Sequence, residues 1–311
     1  MEQLKQQLQA EGIAYRENEP LAAHCTFKIG GPADVFAQPE TEEQLCRTIA
    51  LCRECGVKHY LLGNGSNILF EDAGYHGVVI DTTALKMGIG ILENVCHPGA
   101  APGEVYDAVA AGAGLKLSAL CAAALENGLT GLEFAYGIPG TVGGAVYMNA
   151  GAYGGEMKQV VEEVTTLTES GIRRIPAQEC DFGYRHSAFS DGKSVILGAK
   201  LHLSKGSSSE IDAKMAELMN RRKSSQPLEY PSAGSTFKRP TGYFAGTLIQ
   251  ETGLKGLTVG GAQVSEKHAG FIINIGGATC RDVCTLIQQV QEKVRQAHGV
   301  TLEPEVRIIE N

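Results

Sequence analysis

Residues 137–156 read GIPGTVGGAVYMNAGAYGGE, seven glycines and three alanines in 20 positions. So little side chain over so long a stretch implies that main chain is brought close to something flat or bulky, and a dinucleotide is the natural occupant. Close strand or helix packing accounts for one or two such glycines but not for seven. Upstream, the strand-like HYLL (59–62) runs directly into Gly63-Asn64-Gly65-Ser66-Asn67. A glycine-rich turn at a strand end points successive N–H groups into one concavity, which suits a pyrophosphate. Ser66 and the side chains of Asn64 and Asn67 add neutral donors. By itself that turn is equally well a plain surface turn.

Around these two loops the pattern is that of an α/β protein. Thr41 to Gln44 reads as a capping box for a helix whose stripe is Leu45, Ile49 and Cys52 and whose stop is Gly56. From Val78 to about Leu203, strand-like runs (VVID, VEEVTTLT, SVILGAKLHL) alternate with Gly/Ala-rich loops and an Ala-rich helical pair over 103–126. The segment KGSSSE (205–210) is the best linker, and a third region follows from Ser209 to Gly299. That region holds a strand, FIINI, and a long helix that starts at Thr279 with Val283, Ile287, Val290 and Val294 on its buried face. The tail VTLEPEVRII alternates like a strand and is expected to return to the first unit.

The chain has 311 residues, 39 glycines and a net charge of −8. That charge argues against an extended nucleic-acid surface, which needs a basic face. Anionic small molecules remain possible where cations gather locally. The N-terminal MEQLKQQLQAEG has no apolar signal core, and no segment approaches the ~20 apolar residues of a membrane span. A cytoplasmic, non-membrane protein is expected. Nine cysteines, an odd number, fit reduced thiols. Cys52 and Cys55 form a CxxC inside the helical stripe, without a second pair or a histidine partner, so no metal site is expected. The nearest GxGxxG has Ile68 in place of the third glycine. Gly192-Lys193-Ser194 lacks the leading glycine of a P-loop, Ser187 standing there, and Ser235-x-x-Lys238 has no KTG after it. Three polar clusters are left: Tyr184-Arg185, Ser235 with Lys238, and Glu303 with Glu305. Each also has a bland reading as salt bridge, helix cap or solvated carboxylate.

Six segments in order, FKIGGPADVF (27–36), GNGSNIL (63–69), residues 137–156, FGYRHSAF (182–189), AGSTFKRPTGYFAG (233–246) and LEPEVRII (302–309), closely resemble the UDP-N-acetylenolpyruvoylglucosamine reductase family. The resemblance spans about residue 20 to 309. It implies the two-subdomain FAD-binding fold shared with vanillyl-alcohol oxidase plus a C-terminal α+β substrate domain. The units would be 1–74 completed by 300–311, then 75–203, then 209–299. It implies non-covalent FAD held by Gly63, Asn64, Gly65, Ser66 and Asn67 and by Gly137, Ile138, Pro139, Gly140, Thr141, Gly143, Gly144 and Ala145. Arg185, Ser235 and Glu305 would be catalytic, with Glu303 an alternative to Glu305, and Tyr184 and Lys238 would line the substrate site. NADPH and the enolpyruvyl ether of UDP-N-acetylglucosamine would be the reactants, and the protein would act as a monomer. Arg239 stands where the family often has asparagine, a feature of its shorter, second subtype. The rival readings are a flavin-dependent oxidase on the same fold and a non-catalytic nucleotide-binding module.

Overall fold

The computed structural model describes residues 1–96 and 105–311. Its first unit is a four-stranded sheet in the order Ala14–Pro20, Pro32–Gln38, Tyr75–Asp81, His59–Leu62, antiparallel at the first pair and parallel at the other two. Both faces of this sheet are buried, and strand alternation divides its side chains between two cores. Val35, Ala37, Val78 and Ile80 face helices Glu2–Ala10 and Glu42–Glu54, while Phe36 and Val79 face the opposite core. Thr41 caps the second helix by accepting from Gln44 N–H at 3.2 Å; Gln44 reaches back to Glu40 N–H rather than to that of Thr41.

The second unit is an antiparallel sheet in the order Gly171–Pro176, Val161–Thr168, Val195–Lys205, Val105–Gly112, Ile89–Cys96. Here the expected helical pair over 103–126 is corrected. Positions 103 and 104 lie outside the described residues, 105–112 form a strand, and only Leu117–Glu126 is helical. Alanines favour helix in isolation, but pairing on both sides, with 195–205 and with 89–96, overrides that preference.

A third sheet, in the order Ser232–Ser235, Phe271–Asn274, Ala262–Val264, Thr258–Val259, packs under helix Cys280–His298. Thr279 and Asp282 form the capping box of that helix, and Gly299 ends it in the left-handed region at φ 70°. The segment 205–210 is not a free linker, because Gly206 N–H donates to Gly128 O at 2.8 Å. Helix Ser208–Ser225, which begins the expected third region, buries Ile211 and Met215 in the core of the second unit. By packing, the break therefore falls after this helix. Of the tail, only Arg307–Ile309 is a strand, parallel to Ile68–Phe70 of the first unit. The preceding residues run beside Thr236–Lys238, with Phe237 bridged to Pro304. One core accordingly joins Leu21, Phe27 and Phe70 to Val283, Val290, Leu302 and Ile309.

Candidate active site

The two loops that the sequence points to are in contact. Asn64 Nδ2 donates to Pro139 O at 2.6 Å, and a Cβ on Gly63 would come within 2.6 Å of Thr141 Oγ1. Gly65 is left-handed at φ 60°, and its missing side chain leaves room for His24 O and Cys25. Among the described residues, the N–H groups of 63–67 meet no protein acceptor.

The second loop behaves differently. The N–H groups of Ile138, Gly140, Val142, Gly143 and Ala145 are bonded to carbonyls of Ala135, Ile138, Leu115, Ala113 and Thr141, and that of Gly144 to Thr141 Oγ1. The unbroken donor row is that of 63–67, whereas 137–145 is mostly bonded to itself and its neighbours, Gly137 and Thr141 N–H having no acceptor among the described residues, and forms an adjoining wall. The carboxamides of Asn64 and Asn67, expected to face a ligand, instead donate to Pro139 O and Glu305 O.

The excess of glycine in 137–156 is also mostly internal packing. A Cβ would strike Ala113 at Gly143, Gly155 O at Gly151, the Phe134 ring at Gly155 and the Arg222 side chain at Gly137, while Gly154 has φ 88°. Close packing thus explains four of the seven and backbone conformation a fifth, Gly154, against the expectation that packing accounts for only one or two; Gly140 and Gly144 keep ordinary contacts.

What the latter half of this stretch positions is an arginine. Gly183 and His186 exchange hydrogen bonds of 3.0 and 3.3 Å, leaving Tyr184 and Arg185 at the tip of a two-residue turn. Arg185 has φ 54°, a strained conformation for a side-chain-bearing residue. Asn149, fully buried, holds the turn: its Nδ2 donates to Gly183 O and Glu156 Oε2 at 2.9 Å each, and its Oδ1 accepts from Lys158 N–H. From the turn Arg185 Nε donates to Glu305 Oε1 at 2.6 Å, and Nη2 donates to Gly151 O at 3.3 Å. The guanidinium also lies 5.1 Å from the Tyr184 ring.

Glu305 is positioned from the opposite side. Its N–H donates to Thr236 O at 2.8 Å, beside the exposed Ser235, and its own carbonyl accepts from Asn67. Burial raises its pKa, more than the Arg185 and Lys238 charges lower it. The two glutamates differ in their surroundings. Glu305 is buried against Arg185, whereas Glu303 is exposed and paired with Lys238. Arg239 N–H donates to Tyr184 Oη at 3.1 Å, bringing Tyr184 and Lys238 to the same rim. Ser235, Arg185, Glu305 and Asn67 are thus brought together from three units.

Three residues escaped sequence reasoning. Asn149 lay inside a segment read for its glycines. Arg307 donates N–H to Asn67 O at 3.0 Å and lies 4.8 Å from the Tyr147 ring, so it sits between the two loops. Arg222 reaches Gly137 from helix Ser208–Ser225, and its buried Nε has no partner among the described residues. A buried guanidinium nitrogen without a partner, set against the glycine loop at Gly137, fits an anionic ligand. Among the described residues no cluster suits a metal ion, and no helix is long and apolar enough to cross a membrane.

Comparison with known proteins agrees with this geometry. Residues 226–309 match the UDP-N-acetylenolpyruvoylglucosamine reductase C-terminal domain, and residues 33–175 match the FAD binding domain. The chain is 48% identical over 300 residues to UDP-N-acetylenolpyruvoylglucosamine reductase of Caldanaerobacter subterraneus subsp. tengcongensis, covering 96% of this chain and 94% of that one. Identity to the reductase of Clostridium perfringens strain SM101 is 48% over 293 residues, covering 94% and 92%. The crystal structure of the Thermus caldophilus enzyme superposes with a TM-score of 0.76 at 34% identity, covering 96% of this chain and 99% of that one. The fold is the two-subdomain FAD-binding fold of the vanillyl-alcohol oxidase type with a C-terminal α+β domain. This chain belongs to the UDP-N-acetylenolpyruvoylglucosamine reductase family, FAD-dependent oxidoreductases of peptidoglycan synthesis.

Proposed function

We propose that the chain reduces the enolpyruvyl double bond of UDP-N-acetylglucosamine enolpyruvyl ether to UDP-N-acetylmuramate, with NADPH as the source of electrons. The observation that carries this reading is the Arg185–Glu305 pair, 2.6 Å apart and largely buried, beside Ser235 and within one hydrogen bond of the amide loop. The eight cysteines whose side chains are described are free, in keeping with a cytoplasmic site of action.

The N–H groups of 63–67 would hold the FAD diphosphate, with the wall of 137–145 beside it and Arg222 supplying positive charge. When bound, FAD supplies hydride exchange with NADPH and with the substrate. An enolpyruvyl carbon accepts hydride only where the adjoining carboxylate can absorb negative charge. Arg185 is the group that stabilises that charge, since a fixed cation in a partly dry site acts strongly on developing charge. Glu305 hydrogen-bonds the enol-like oxygen, and burial, which raises its pKa, favours the protonated form that such a bond needs. Ser235 delivers the proton to the neighbouring carbon. A hydroxyl is a weak acid, but its acceptor there is strongly basic, so placement matters more than pKa. Tyr184 and Lys238 line the rim for the UDP-sugar.

The test is a visible spectrum of the purified protein followed by two anaerobic additions. NADPH should bleach the flavin bands, and the UDP-sugar enolpyruvyl ether should restore them. Bands that return only on admitting oxygen would contradict the assignment.

A further inference from the structure

Glu303, Pro304 and Glu305 run alongside Thr236–Lys238, tied by Lys238 N–H to Glu303 O and Glu305 N–H to Thr236 O, both 2.8 Å. Each glutamate ends on a cation from a different part of the fold. Glu305 takes Arg185, carried on the turn of the second unit, and Glu303 takes Lys238, carried on the third sheet's loop. The site's two cations are therefore both covered by carboxylates of the chain itself.

The two pairs differ in how easily they part. Side-chain exposures are 21% and 12% for Arg185 and Glu305, against 34% and 68% for Lys238 and Glu303. Separating the inner pair would leave a buried charge uncompensated, which is strongly unfavourable. The outer pair is held by about a factor of five or less, because water receives the freed carboxylate. An incoming anion therefore displaces Glu303 and leaves Glu305 in place.

We propose that Glu303 is a displaceable stand-in for a phosphate group of the ligand, occupying Lys238 until the diphosphate of the UDP-sugar replaces it. This rests on the substrate reading above. The diphosphate of a UDP-sugar carries two charges and four non-bridging oxygens against the one charge and two oxygens of a carboxylate, so it wins the exchange, whereas a ligand with only a carboxylate gains little. Glu303 thereby sets a threshold that weak anions fail to pass, making it a specificity-determining residue.

The experiment titrates the FAD-loaded protein with three probes, UDP, inorganic pyrophosphate and NADP+, following heat or flavin fluorescence. Glu303→Gln removes the competitor and should tighten UDP and pyrophosphate about three- to fivefold. In a Lys238→Met background the same change should have no effect, because the cation in dispute is gone. General charge repulsion by Glu303 would persist in that background, and so would overturn the idea. Unchanged or weaker binding of both probes by Glu303→Gln would also overturn it, showing that the glutamate only holds the lysine in place. An effect confined to NADP+ would assign the phosphate to the nicotinamide nucleotide and overturn the proposal as stated. Failure of UDP to bind, with pyrophosphate still sensitive to Glu303, would sink the UDP-sugar reading and leave the stand-in role supported.

Discussion

Ser235 and Glu305 lie on adjoining segments but make opposite demands on their surroundings. Ser235 is exposed, at the end of its strand, and the task proposed for it lies only in the second half of the catalytic cycle. Ser235→Ala should therefore leave NADPH-driven flavin reduction close to wild type and slow reoxidation by substrate about 10²–10⁴-fold. Stopped-flow absorbance separates the halves, and equal slowing of both would remove the proton-donor role. Glu305 is held by burial, which raises its pKa against the pull of Arg185. A carboxyl whose folded pKa is raised binds its proton more tightly in the native state. Its contribution to stability is thus complete below the ordinary carboxylate pKa and is lost as pH rises through the raised value. Glu305→Gln cannot ionise, so its melting temperature relative to wild type should climb as pH rises across that window. A difference independent of pH would contradict the raised pKa.

The turn that carries Arg185 is held by a residue outside the proposed chemistry. Asn149 has φ 41° and three hydrogen bonds, two of them to carboxylate and carbonyl groups that lie far along the chain or across the turn. Asn149→Ala places alanine in the left-handed region, at about 1–2 kcal/mol. Orphaning the buried partners adds about 1–3 kcal/mol. Asn149→Gly should recover the first part in a thermal melt but not the second. Both variants should retain bound flavin and lose turnover at least about tenfold, since Arg185 is no longer aimed at Glu305. Full turnover in Asn149→Gly would show that the turn holds itself.

Across the whole molecule, the C-terminal tail closes a core that begins near Leu21. Leu302, Val306 and Ile309 are each 7% exposed or less, and residues 307–309 supply the parallel partner of 68–70. At about 1.5–3 kcal/mol per buried side chain, their loss approaches the whole stability of a domain, about 5–15 kcal/mol. A chain ending at Gly299 should show no cooperative thermal transition by circular dichroism. A transition within a few degrees of the full chain would mean that the first unit stands without its tail.

Short-range signals carried much of this protein. The helix stripe of Leu45, Ile49 and Cys52, the cap at Thr279, the stop at Gly299 and the runs 59–62, 78–81 and 161–168 all depend on neighbours a few residues away, where periodicity and capping are legible. The residues quoted in the family resemblance pointed to Arg185, Ser235 and Glu305 as a group. Tertiary structure alone decided that 105–112 is a strand, because alanine's helical preference yields to two flanking strands. It alone showed that four of the seven glycines of 137–156 admit Ala113, Gly155, Phe134 and Arg222. It also set Glu305 apart from Glu303, since which of two glutamates is sheltered depends on an arginine 120 residues away. Contacts between distant segments leave no periodic trace in the chain, and so only the folded molecule discloses them.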